Sequence, residues 1–137
     1  MIKFFSEEIE FNVPKPLKTK KWLSTICKSN SYDNFSLNYI FCSDDYLLEI
    51  NKQYLDHDYY TDIITFDNSE SEELLEGDIY ISIDRVNENA NNFKASFDTE
   101  LRRVIVHGLL HLIGFEDTTD ELKAEMRLKE DECLQLF

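Results

Sequence analysis

The sequence predicts an α+β or mixed α/β fold in a single small domain, and three observations carry that expectation. Stretches that alternate with period two are interspersed with stretches of helical spacing. Only three Gly and two Pro occur in 137 residues, so the elements should be long and continuous. No low-complexity linker or internal repeat divides the chain, whose length suits one domain. Hydrophobic content of 42%, with one Trp, seven Tyr and ten Phe, supplies the apolar mass that a disordered acidic chain lacks. A chain of this size buries roughly two thirds of its unfolded surface, enough for a core without staples.

Taken in order, Pro14 and Pro16 open a segment in which Leu17, Trp22, Leu23, Ile26 and Cys27 fall near helical spacing. Proline is tolerated in the first turn of a helix, where its missing N–H is no loss. Phe35, Leu37, Tyr39 and Phe41 alternate with Ser36 and Asn38, as a half-buried strand does. Ser43 then reads as a helix cap, followed by Asp44 and Asp45 in the first turn and helix through about Tyr54. Two β-branched runs, Asp62–Phe66 and Asp78–Ile83, predict strands on either side of an exposed polar loop at 68–73. Val86, Ala90 and Phe93 have helical spacing. Thr99 reads as the cap of a helix from Glu100 to about Ile113, closed by Gly114 in the left-handed position that ends helices. Thr118 to Glu121 has capping-box spacing and introduces a last helix with Leu122, Met126, Cys133, Leu134 and Phe137 on one side.

The formal charge is −14, from 28 acidic against 14 basic residues. That balance argues against a general DNA or membrane binder, because phosphate-rich partners are held largely by Lys and Arg. The charge is uneven. Residues 12–30 hold Lys15, Lys18, Lys20, Lys21 and Lys28 and no acid, leaving nine basic against 28 acidic residues elsewhere. Cys27, Cys42 and Cys133 are far apart with no CxxC spacing and read as buried hydrophobes. The N-terminus has no apolar signal-peptide region and no run is long enough to span a membrane, so the expected compartment is a reducing cytoplasm.

The chemistry concentrates in Val106–Asp117. His107 and His111 stand at i and i+4, so both imidazoles leave one helix face a turn apart. Gly114 ends the helix and brings Asp117 to where a third ligand completes the set. Two imidazoles and one carboxylate with a vacant fourth position form the pattern of catalytic zinc, whereas structural zinc is closed by four side chains. The bland alternative is a pair of core histidines bonded to backbone. Metzincin peptidases share the spacing but place a Glu directly after the first His as general base. Here that residue is Gly108, which removes the proton acceptor of ordinary metalloprotease chemistry.

From about Ser43 onward the sequence resembles the YbeY family, bacterial rRNA maturation factors that are metal-dependent endoribonucleases acting on single-stranded RNA. The resemblance lies in Asn51-Lys52-Gln53-Tyr54, then Thr61–Phe66, Gly77–Ser82 and the His107 segment, in that order and spacing. It implies a small mixed sheet of about four strands, a zincin-like metal helix packed against it, and a cleft beside one strand. The family's His-x3-His-x5-His triad maps onto His107, His111 and Asp117, with one zinc or another divalent ion as cofactor.

Two departures matter. Asp117 replaces a histidine, adding negative charge that should make a bound water less acidic and widen the choice of metal toward harder ions. Leu55 stands where the family usually has an Arg that can grip phosphate bidentately. The candidates for RNA-backbone contact are therefore Lys15, Lys18, Lys20, Lys21, Lys52, Arg102 and Arg103. His57 is a surface histidine or a cleft group, and Glu116 is a candidate general base or one more loop acid. Asp62 and Asp78 are candidates for orienting a ligand histidine. The resulting expectation is an endoribonuclease of rRNA maturation whose partners are single-stranded RNA and a ribosomal subunit or protein. The alternatives are a zinc metallopeptidase-like hydrolase, or an assembly factor with a structural metal.

Overall fold

The computed structural model describes residues 1–137. Four strands, β1 (Ile2–Glu7), β2 (Asn34–Cys42), β3 (Ile63–Asp67) and β4 (Leu74–Ser82), form one sheet in the order β1-β2-β4-β3. β1, β2 and β4 run parallel, and β3 pairs antiparallel with β4 at the edge. Five helices complete the fold: α1 (Pro16–Ser29), α2 (Asp44–Leu55), α3 (Ile83–Asn92), α4 (Phe97–Ile113) and α5 (Asp120–Gln135). The α+β class and the mixed four-stranded sheet are those the sequence led one to expect.

Alternation along β4 builds two layers. Leu75, Ile79 and Ile81 enter the main core with Leu101, Ile105 and Leu109 of α4, while Tyr80 packs on a smaller cluster of Cys42, Leu47, Ile50 and Ile64 beside α2. The sheet is thus sandwiched between α2 on one face and α4 on the other. Two buried hydroxyl and indole groups are satisfied across the core: Tyr39 donates to the Ile105 carbonyl at 3.0 Å and Trp22 to the Cys133 carbonyl at 2.7 Å. The three cysteines are free and buried, and burial pushes the Cys27 thiol up to about 11 and the Cys42 thiol to about 12.

Several boundaries differ from the sequence reading. β1 was not anticipated; it is an edge strand in which only Ile2 is buried and Phe4 half-buried, too short an alternation to stand out. β4 starts at Leu74 rather than Asp78, and Ile83 already belongs to α3. Ser96, not Thr99, caps α4: its hydroxyl accepts from the Thr99 N–H at 3.1 Å, and the helix begins at Phe97. Ser43 and Thr119 cap α2 and α5 by the same device.

α4 lies close against the sheet because of Gly108. A Cβ built there would stand 2.8 Å from Ile63 Cδ1 and 2.9 Å from Ile79 Cγ2. The residue therefore points into the sheet, and a glutamate at this position would be driven into packed side chains instead of the cleft.

Candidate metal centre and cleft

Helix spacing puts His107 and His111 on one face of α4, lining a cleft of about 610 Å³ beside edge strand β3. Gly114 then ends α4 at φ 121°, a conformation that side chains rarely adopt, and turns the chain back. The return places Asp117 Oδ2 3.4 Å from both His107 Nε2 and His111 Nε2, which are themselves 3.0 Å apart. A tetrahedral ion with ligands at roughly 2.0–2.1 Å separates its donors by roughly 3.3 Å, so this triangle has the size such an ion requires. These three residues form a group that could hold a metal ion.

The residue that orients the site is one that sequence reasoning did not single out. Glu130, on α5 and only 5% exposed, accepts from His107 Nδ1 through Oε2 at 2.7 Å. In the neutral ring this places the proton on Nδ1 and leaves Nε2 with its lone pair facing His111 and Asp117. The other oxygen, Oε1, accepts from Arg103 Nη1 at 3.0 Å, and Arg103 Nη2 donates to Asp131 at 2.8 Å. Burial alone would lower the His107 pKa, but the hydrogen bond and charge of Glu130, with Asp117 and Asp62, outweigh it and raise the value. Burial likewise pushes Glu130 up, yet His107 and Arg103 hold it below the usual carboxylate range.

The remaining candidates fall into two groups. Asp62 lines the cleft; burial raises its pKa against the opposing influence of His107 and Arg85, and Asn89 Nδ2 lies 3.4 Å from its Oδ2. His57 and Leu55 also line the cleft. Asp78 does not: it accepts from Asn38 of β2 at 2.9 Å and from Asn68, just past β3, at 3.2 Å. Glu116 is exposed and lies outside the cleft lining.

None of the basic candidates lines the cleft. Arg103 is committed to Glu130 and Asp131, and Lys52 pairs with Glu49 and Asp58, each at 3.6 Å. Lys18 and Arg102 stand 4.3 and 4.4 Å from the Phe137 ring centre, and Lys20 is 5.2 Å from that of Phe4. Lys15 is the left-handed residue that precedes α1, and Lys21 is on its solvent face. The lysine-rich stretch is the outer face of an amphipathic helix whose inner face is Thr19, Trp22, Leu23, Ile26 and Cys27.

Fold and site together define a class: a small α+β protein with a three-donor group at a cleft that could hold a metal ion. The sequence comparisons agree on one family within it. A family model described as Endoribonuclease YbeY matches residues 3–137. The Endoribonuclease YbeY of Cytophaga hutchinsonii is 53% identical over 133 residues, covering 97% of this chain and 93% of its own. That of Flavobacterium psychrophilum is 50% identical, covering 97% and 94%. A solution structure from Thermotoga maritima matches with a TM-score of 0.70 at 32% identity, covering 99% of this chain and 88% of that one. The chain belongs to the YbeY endoribonuclease family. No helix is long and apolar enough to cross a membrane.

Proposed function

We propose that this chain is a zinc-dependent endoribonuclease that cuts single-stranded RNA during rRNA maturation, working in the cytoplasm as a single domain. The observation that carries the reading is the convergence of His107, His111 and Asp117, with His107 held in one tautomer by buried Glu130. A divalent ion held there supplies Lewis acidity toward a phosphodiester and makes water a better nucleophile. The chain's own residues do the rest. Glu130 and Arg103 fix the His107 ring. We assign the exchange of a proton to Asp62, a cleft carboxylate whose pKa burial raises, in preference to exposed Glu116.

Zinc suits two imidazoles and a carboxylate, and the carboxylate keeps manganese or magnesium as competitors. The surplus of acid makes unaided RNA binding weak, so a ribosomal subunit or ribosomal protein is the partner that would present the substrate. The test is metal analysis of purified protein joined to cleavage of a single-stranded RNA. His107→Ala and His111→Ala should lose both bound metal and cleavage; unchanged cleavage by a metal-free variant would overturn the reading.

A further inference from the structure

The loop between α2 and β3 carries two exposed tyrosines with different surroundings. Tyr60 is accounted for by packing: its hydroxyl donates to Asp45 at 3.2 Å and the Arg85 guanidinium lies 5.4 Å from its ring centre. Tyr59 is not. It is 56% exposed, lines the cleft that holds the metal ligands, and stacks on His57 with ring centres 5.1 Å apart and planes within 21°. Its hydroxyl is 3.0 Å from His57 Nδ1.

The pair is held in place, although its rings face water. Asp56 ends α2 in the left-handed region at φ 54°, and the His57 N–H donates to the Asn51 carbonyl at 3.1 Å. Asn51, 1% exposed, turns its side chain the other way and donates Nδ2 to the Tyr59 carbonyl at 2.9 Å. A buried amide is thus spent on fixing the loop that presents two stacked rings.

The electrostatics of the cleft say what such rings would bind. No Lys or Arg lines it, and Asp62, Asp67 and Asp117 do. Phosphate neutralisation by Lys and Arg, which supplies most non-specific nucleic-acid affinity, is therefore missing from this cleft. Stacking of a base on an aromatic face carries no charge requirement and tolerates any base, but it needs that base to be unpaired.

We propose that Tyr59, backed by His57, is a nucleobase-stacking subsite that receives an unpaired base of an RNA strand lying in the cleft. The proposal rests on the endoribonuclease reading above and deepens it, because a stacking subsite makes an accessible, unpaired base a condition of productive binding. Asn51 is a positioning residue for the subsite.

Two measurements on the full metal-loaded chain test it. In the first, a single-stranded RNA carrying 2-aminopurine is titrated with protein. Wild type and Tyr59→Phe should quench its fluorescence, and Tyr59→Ala should not. In the second, steady-state cleavage of the unlabelled strand should show KM raised roughly 5- to 100-fold by Tyr59→Ala, with kcat within about twofold. Tyr59→Phe and Tyr59→Trp should keep the wild-type KM. Equal quenching by wild type and Tyr59→Ala, or an unchanged KM in Tyr59→Ala, would overturn the subsite. So would a Tyr59→Phe variant as impaired as Tyr59→Ala, since the hydroxyl and not the ring face would then matter. Quenching without any cleavage by wild type would instead overturn the endoribonuclease reading and leave the stacking subsite supported.

Discussion

Replacing Glu130 by Ala tests the metal centre from a residue that would not itself touch the ion. The carboxylate makes two charge-assisted hydrogen bonds, to His107 at 2.7 Å and Arg103 at 3.0 Å, with a side chain only 7% exposed. Such bonds contribute about 1.5–3 kcal/mol each. Part of that is returned, because Arg103 keeps Asp131 and because burying Glu130 is itself costly. A loss of about 2–4 kcal/mol remains, which for a chain of this length is a fall of roughly 6–15 °C in the melting temperature. Freed from its acceptor, the His107 ring can take the wrong tautomer, and losing a partner of this kind costs metal affinity roughly 10–100-fold. Glu130→Gln should be milder, since its amide oxygen can still accept from Nδ1. Thermal unfolding of the metal-free variants and competition for zinc with a chelator read the two effects separately. A Glu130→Ala protein that binds zinc within twofold of wild type would refute the orienting role.

Three other outcomes follow from single contacts. Asp62→Asn should lower kcat roughly 10²–10⁴-fold if Asp62 exchanges a proton with the substrate. The wild-type rate should rise with pH along a limb that reports loss of the Asp62 proton; persistence of the limb in Asp62→Asn would exclude Asp62 as its source. Glu100 is 5% exposed and burial raises its pKa, so the fold favours its protonated form. Its contribution to stability therefore falls as pH rises from the ordinary carboxyl value through the raised one, and Glu100→Gln should be more stable than wild type at pH 7 but not near pH 3, measured by urea unfolding. Gly108→Ala should destabilise by about 1–2 kcal/mol, because overpacking against Ile63 and Ile79 outweighs the better helix propensity of alanine; an equally stable variant would show that the helix–sheet contact has room.

The parts of this molecule that could be read from sequence are those whose signal is local. His107, His111, Gly114 and Asp117 lie within eleven residues, so helix spacing and a helix stop bring them together without knowledge of the fold. Strand β2 and helix α2 were equally clear from alternation and a serine cap. Glu130 is 23 residues from His107 along the chain and sits among Lys129, Asp131 and Glu132, so composition conceals it. A signal was nonetheless present: Met126, Glu130 and Cys133 follow the i, i+4, i+7 spacing of the buried face of α5, and an acid on that face needs a partner. The lysines of α1 illustrate the opposite failure. Their clustering in sequence is the solvent side of an amphipathic helix, and where that side faces is a tertiary fact that no local pattern contains.

The absence of Lys and Arg from the cleft also bears on how a reaction there would end. Cutting a phosphodiester turns a singly charged linkage into a terminal phosphomonoester, whose second ionisation lies near pH 6. The carboxylates of Asp62 and Asp67 would repel that doubly charged end more than the intact strand, whereas an ion held by His107, His111 and Asp117 would attract it. The acids that weaken arrival would then favour departure as well, leaving the ion to hold the product back.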